Sequence, residues 1–318
     1  MTMQSFESAC IAVVSGGTST ERERSLMSGR AARESLDRQG YTTRLLDPAD
    51  KTFADDIRSA DVAFLAIAGQ YAEDGKLQGL LEHLNIRYTG SGVAASAVGM
   101  HKALAKTVAA AAGVAVFPTV TLPARSGDVS THTVTSTIAF PLILKPLSEG
   151  GSIGMTVCRD TAQLAAALRT IDPGERWFAE PFTAGIPVSC GVLEIDGSPV
   201  ALPPLATIPT DAEFYDYATK RDKSKYRYEC PANLSSPAPD AITTAALTAH
   251  DALGCSGYSR SDFIVTPDGR PVWLEINTLP GLSHTGNLAT MAAAAGIEYD
   301  ELIRMILATA DTTEGYRP

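Results

Sequence analysis

Two stretches near the front of the chain constrain its fold most. Each is an apolar run that stops at glycine and hands over to a helical pattern. Cys10-Ile11-Ala12-Val13-Val14 ends at Ser15-Gly16-Gly17. A run that is apolar on both faces reads as a buried parallel strand, and the glycines supply the turn. Thr18 with Glu21 three residues later predicts a capping box, and Gly40 predicts the helix stop. The run Val62 to Ala68 repeats the theme and leads into Gly69-Gln70-Tyr71-Ala72-Glu73-Asp74-Gly75. Leu77, Leu80, Leu81 and Leu84 then recur at helical spacing, which gives one apolar face. Strands alternating with helices predict a parallel, doubly wound α/β domain over residues 1–100.

Beyond that unit the pattern changes. An alanine-rich helix is predicted from about Ala97 to Ala112, beginning near Met100-His101-Lys102 and stopping at Gly113. A strand Leu142–Pro146, a glycine loop Ser148–Gly154, a strand Met155–Cys158 and a helix capped by Asp160 with Gln163 make a small central α+β domain over residues 101–185. The C-terminal α+β domain, residues 186–318, opens with a hairpin turned at Asp196-Gly197. The polar stretch 209–230 has no periodicity and reads as a lid loop. A helix over about 240–253, a second hairpin and a helical terminus complete it.

The chain has 318 residues, 45% of them apolar, enough for two or three cores. A formal net charge of −10 speaks against a protein that wraps nucleic acid. No run reaches the ~18 apolar residues of a membrane span. The first ten residues carry Glu7 and no basic segment, so a cytoplasmic protein is expected. The five cysteines show no C-x-x-C pair and read as reduced thiols.

The second hairpin carries the chemistry. It runs from Arg260 to Asn277 around Asp268-Gly269, a strong two-residue turn signal. With those two residues as the loop, Ile264 faces Trp273, Asp262 faces Glu275, and Arg260 faces Asn277. Arg260, Asp262, Glu275 and Asn277 then share one sheet face, with the two carboxylates about 5 Å apart at Cβ. Carboxylates that close repel unless neutralised. Either a divalent cation such as Mg²⁺ sits between them, open to nucleotide phosphates, or the face is solvated and Arg260 bridges to Glu275.

The same residues belong to an ordered set of motifs. They are Val14–Leu26, Glu73–Gly79, Tyr88–Gly92, Lys145-Pro146 with Glu149-Gly150 and Gly154, Phe214–Tyr217, and Leu274–Thr278 with Pro280-Gly281. Their order and spacing, from about residue 10 to residue 310, resemble the D-alanine–D-alanine ligase family of the ATP-grasp superfamily. The resemblance implies an ATP-grasp fold, with the two α+β domains clamping ATP. It implies a ligase that joins two D-amino acids through an acyl phosphate, using ATP and Mg²⁺ or Mn²⁺, in a cytoplasmic homodimer. Lys102, Lys145 and Lys220 resemble the nucleotide-binding lysines. Glu149, Gly150, Gly151 and Ser152 resemble the phosphate-covering loop, and Glu180 an acid near the adenine. Asp262, Glu275 and Asn277 match the metal ligands. Arg260 and Gly281 match donors to the reacting oxygen, and Glu21 matches the acid that receives the first ammonium.

Several positions depart from the family pattern. Ala68 stands at a usual histidine, Gly151 at a serine, Arg221 at a tyrosine and Pro187 at a glutamate. The segment Ser283–Leu288 is one residue longer than usual, so the second carboxylate falls to Ser283 or Asn287, with Leu288 on the substrate side. The departures leave open a relative that joins a different amino-acid pair. Retention of Arg260, Asp262, Glu275 and Asn277 speaks against a nucleotide-binding protein without catalysis.

Overall fold

The computed structural model describes residue 6 and residues 8–123, 130–148, 154–171, 174–210 and 225–311. The apolar run Cys10–Val14 forms β1 inside a four-stranded sheet. Its order is β2–β1–β3–β4, with β2 at Thr42–Leu46, β3 at Val62–Leu65 and β4 at Arg87–Tyr88. Every pairing in it is parallel. Ile11, Ala12, Val13 and Val14 are all buried, as a strand covered on both faces requires.

The first helix, Arg22–Arg38, stops as expected at Gly40, which takes φ +89° while the Tyr41 N–H returns to Leu36 O. Its start differs from expectation. Glu21 is the N-cap and no side chain caps the helix, so the Thr18–Glu21 capping box does not form. Ser19 instead ties the turn across the sheet, accepting the Glu21 N–H at 3.2 Å and donating to Ala68 O at 3.0 Å. In the helix Lys76–His83, Leu77 and Leu81 are fully buried, each worth about 1.5–3 kcal/mol.

The second sheet is antiparallel, in the order β5–β8–β6–β7: Val120–Thr121, Trp177–Pro181, Leu142–Pro146 and Thr156–Cys158. Asp160 caps its helix Thr161–Thr170 by accepting the Gln163 N–H at 2.8 Å. Leu142, Leu144, Leu164 and Ala179 form its separate core.

The third sheet has six strands. β12 (Tyr226–Glu229), β11 (Leu205–Pro209), β9 (Ile186–Ile195), β13 (Tyr258–Val265) and β14 (Pro271–Asn277) follow in order, and β10 (Ser198–Ala201) pairs with β9. Asp196 and Gly197, both at positive φ, turn the β9–β10 hairpin as expected. The stretch 209–230 is not loop throughout, because its ends pair as β11 and β12; residues 211–224 lie outside the described residues.

The predicted alanine-rich helix is two helices, Val93–Met100 and Lys102–Ala111. His101 breaks it at ψ 89°. Its Nδ1 caps the second helix by accepting the Leu104 N–H, and the Lys102 N–H donates to Leu147 O at 3.1 Å. Ala105 and Ala109 of that second helix enter the core of the six-stranded sheet, not that of the central sheet. At the far end, Leu302, Ile303, Ile306 and Leu307 pack back into the core of the first sheet.

Candidate active site

A cavity of about 590 Å³ opens between the two antiparallel sheets, and its wall also takes in Glu21 and Arg24 from the first helix and Ala68 and Glu73 from the segment after β3. The β13–β14 hairpin forms one side. Arg260 pairs with Asn277 and Asp262 with Glu275, the register expected at the carboxylates. Two irregularities cancel to produce that register. The loop holds three residues, Pro267, Asp268 and Gly269, since the Thr266 N–H donates to Arg270 O at 3.0 Å and Gly269 takes φ +82°. That shifts the pairing by one, so Phe263 and not Ile264 faces Trp273. A bulge between Asp262 and Phe263, with Leu274 as the extra residue, then restores it.

Electrostatic pairing is dense here. Arg260 grips Asp262 in its own strand through two bonds of 2.8 and 2.9 Å, rather than bridging to Glu275. Burial opposes the Arg260 charge, but Asp262 outweighs it and raises the guanidinium pKa above its ordinary value. Asp262 also accepts from Ser189 Oγ at 2.6 Å, and Ser189 receives Asn287 Nδ2 at 3.4 Å. Lys102 Nζ lies 3.1 Å from Glu275. Among the described residues no three His, Cys, Asp or Glu side chains cluster as a metal group. The oxygen set is therefore Asp262, Glu275 and the amide of Asn277, whose Oδ1 also accepts the Leu279 N–H at 3.0 Å. Hard oxygens in that number suit magnesium, which keeps its remaining positions for water and phosphate.

Across the cavity Glu180 is 1% exposed, so it is not the surface carboxylate its position in the sequence allows. It holds two ammonium groups, Lys145 on one oxygen and Lys106 Nζ at 2.5 Å on the other. Burial opposes its charge, but Lys145 and then Lys106 prevail and hold the carboxyl below its ordinary value. Burial pushes Lys106 down in turn, with Glu180 opposing. Two lysines on one carboxylate leave the trio with net positive charge, which suits an anion.

Glu21 reaches the cavity wall from the start of its helix, with Arg24 Nη1 3.6 Å from its carboxylate. Ala68, Pro187, Gly281, Ser283 and Asn287 line the same cavity. Leu288 does not. Its side chain is 1% exposed and packs in the core beside Leu202 and Met291, which corrects its substrate-side assignment. Glu149, Gly150, Gly151, Ser152, Lys220 and Arg221 lie outside the described residues.

Sequence reading missed Lys106, Ser189 and the site of Glu73. Lys106 had a signal: it stands four residues after Lys102, so the two share a helix face that needs an anion between like charges. Ser189 had none, because β9 reaches β13 only through the sheet.

A nucleotide-sized cleft between two antiparallel sheets, with Lys145 and Glu180 on one wall, Lys106 buried behind them, and opposed carboxylates on the other, defines the ATP-grasp class. Comparison with known proteins narrows it. The family model for the D-ala D-ala ligase C-terminus matches residues 91–308, and that for the N-terminus matches residues 44–91. A D-alanine–D-alanine ligase of Anaeromyxobacter sp. is 40% identical over 308 residues, covering 93% of this chain and 95% of that protein. One of Syntrophobacter fumaroxidans is 40% identical over 311 residues, covering 96% and 99%. The Bacillus anthracis D-alanine–D-alanine ligase complexed with ATP superposes with a TM-score of 0.83 at 29% identity, covering 96% of this chain and 98% of that one. A D-Ala:D-Ser ligase from Enterococcus faecalis reaches 0.80 at 25% identity, covering 95% and 99%. The chain belongs to the D-alanine–D-alanine ligase family.

Proposed function

We propose that the chain is an ATP-dependent D-alanine–D-alanine ligase of peptidoglycan precursor synthesis. The observation that carries this reading is the meeting, in one cavity, of the Arg260–Asp262/Glu275–Lys102 array and the Lys145–Glu180 pair, which Lys106 backs from the interior. ATP is a substrate here, taken between the central and the six-stranded sheets with its phosphates toward Lys102 and Lys145. Asp262, Glu275 and Asn277 would hold magnesium, which when bound neutralises charge on the phosphates.

Glu21 receives the ammonium of the first D-alanine and turns its carboxylate toward the phosphates. That carboxylate attacks the γ-phosphorus, ADP leaves, and an acyl phosphate forms. The amine of the second D-alanine attacks the acyl carbon, and phosphate departs as the peptide bond closes. Arg260 and the Gly281 N–H donate to the oxygen that becomes negative on the way. No covalent bond to the protein is needed, so positioning and charge carry the rate. Among the described residues no helix is long and apolar enough to cross a membrane. A cytoplasmic homodimer is the assembly the family resemblance implies, and sedimentation tests it.

The test of function is phosphate release from Mg-ATP against pairs of D- and L-amino acids, with product masses. D-alanine alone is expected to give the dipeptide. Phosphate release that ignores added amino acid would end the reading. A product that forms only with a different second amino acid would move it to the D-Ala:D-Ser type of ligase, a change for which Ala68 in the cavity wall gives a reason.

A further inference from the structure

Glu73 stands in the cavity wall and has no task in the mechanism above. It is 7% exposed. One oxygen, Oε2, accepts the Gly69 N–H at 2.6 Å. The other, Oε1, is buried and has no hydrogen-bond partner among the described residues. A buried acceptor left open costs free energy unless a ligand fills it.

The groups that face Glu73 come from three elements. Glu21 faces it from the start of the helix Arg22–Arg38, Lys102 from the helix Lys102–Ala111, and Arg260 from β13. Tyr258, also on β13, is close as well, but its hydroxyl donates to Leu65 O at 3.1 Å. Gly69 marks the meeting point of the two acids. Its N–H is held by Glu73, and a Cβ there would sit 3.4 Å from Glu21 Oε2. Ala68, the next residue back, adds only a methyl to the wall and cannot satisfy Oε1.

We infer that Glu73 is a second receptor for the α-ammonium of the first amino acid, acting beside Glu21 where the two acids meet at Gly69. The inference rests on the ligase reading and adds a residue to its substrate pocket. Burial, and then the Glu21 charge, push Glu73 up to about 8, so before substrate arrives it holds a proton at neutral pH. When the ammonium enters, the Glu73 O–H bond breaks, the proton leaves to solvent, and Oε1 accepts an N–H of the substrate. Binding of the first amino acid is therefore linked to proton release. Affinity should rise with pH up to the Glu73 pKa and flatten above it, until the substrate amine itself titrates.

Calorimetry tests this. D-alanine is titrated at pH 7.0 into the full chain with Mg-ADP, in two buffers of different ionisation enthalpy. Close to one proton released per first-site ligand is expected from the parent protein, and none from Glu73→Gln. That variant keeps the bond from the Gly69 N–H and is expected to raise KM for the first D-alanine about tenfold or more. It should also lose the rising limb of kcat/KM near pH 8, which a merely structural role for Glu73 would leave in place. Absence of proton release from the parent overturns the inference, as does a variant with parental KM and pH profile. If the variant fails to fold, the proton count on the parent decides alone. Dipeptide formation without proton release sinks only the role of Glu73, whereas amino-acid-independent phosphate release sinks the ligase reading itself.

Discussion

The two ends of the cavity, proposed above to take the nucleotide and the amino acids, are built on different electrostatic plans. At the nucleotide end charges answer one another at close range: Arg260 to Asp262, Lys102 to Glu275, Lys106 and Lys145 to Glu180. At the amino-acid end Glu73 has an open oxygen, Ala68 is a methyl, and Ser283 and Asn287 are neutral. Paired charges are preorganised, and removing one partner strands the other, so changes there should cost rate and nucleotide affinity. An end with open acceptors waits for its ligand, so changes there should move substrate KM and selectivity and leave the nucleotide alone.

Glu275→Gln is expected to break the paired end most severely. It removes a ligand charge and the partner of Lys102, and phosphate release should fall about a hundredfold or more with the fold retained. Near-normal turnover would remove the magnesium assignment and erase the contrast between the two ends. Lys145→Ala comes next. It deletes a charge-assisted contact worth about 1.5–3 kcal/mol, so ATP should bind about tenfold to a hundredfold more weakly by calorimetry. Unchanged ATP affinity would make Lys145 only a partner of Glu180.

The other end is sharpened by Asn287→Ala. Asn287 opens the helix Asn287–Ala294, where the helix dipole favours a carboxylate, and its amide reaches Ser189. KM for the second amino acid should rise about three- to tenfold, with ATP affinity and the first KM unchanged. A larger effect from Ser283→Ala would transfer the carboxylate to Ser283. The smallest effect is on stability in acid. The Glu180 carboxyl is held below its ordinary value in the folded protein, so the unfolded chain takes up the proton first. Its stabilising share is complete above the ordinary value of 4.5 and is lost as pH falls further. The melting midpoint should drop less steeply with acid in Glu180→Gln than in the parent; parallel slopes would show that the trio contributes nothing.

The first sheet was legible in the sequence because its signals are local: a fully apolar strand, then glycine, then a one-faced helix, twice over. The hairpin carboxylates were legible for a weaker reason. A three-residue loop and a bulge at Leu274 each break the simple register, and their shifts happen to cancel at Asp262 and Glu275. What could not be read is what depends on distant backbone. A helix start near His101 was legible, but not the separate helix Val93–Met100 before it or the Lys102 N–H bond to Leu147 O, which ties the break to the end of β6. The burial of Glu180 and the pairing of Lys106 with it arise from packing between a helix and a strand 74 positions apart. Ser189 reaches Asp262 only because β9 and β13 are neighbours.

The central claim is that this cavity activates a carboxylate by phosphorylation. D-alanine labelled with ¹⁸O in its carboxyl group tests it most directly, with Mg-ATP and mass analysis of the released phosphate. Attack of that carboxylate on the γ-phosphorus, followed by loss of phosphate to the incoming amine, carries one labelled oxygen into each phosphate released. One ¹⁸O per phosphate, matched to the dipeptide formed, is the predicted result. Unlabelled phosphate would mean that water, and not the substrate carboxylate, takes the γ-phosphoryl group, and would contradict the account.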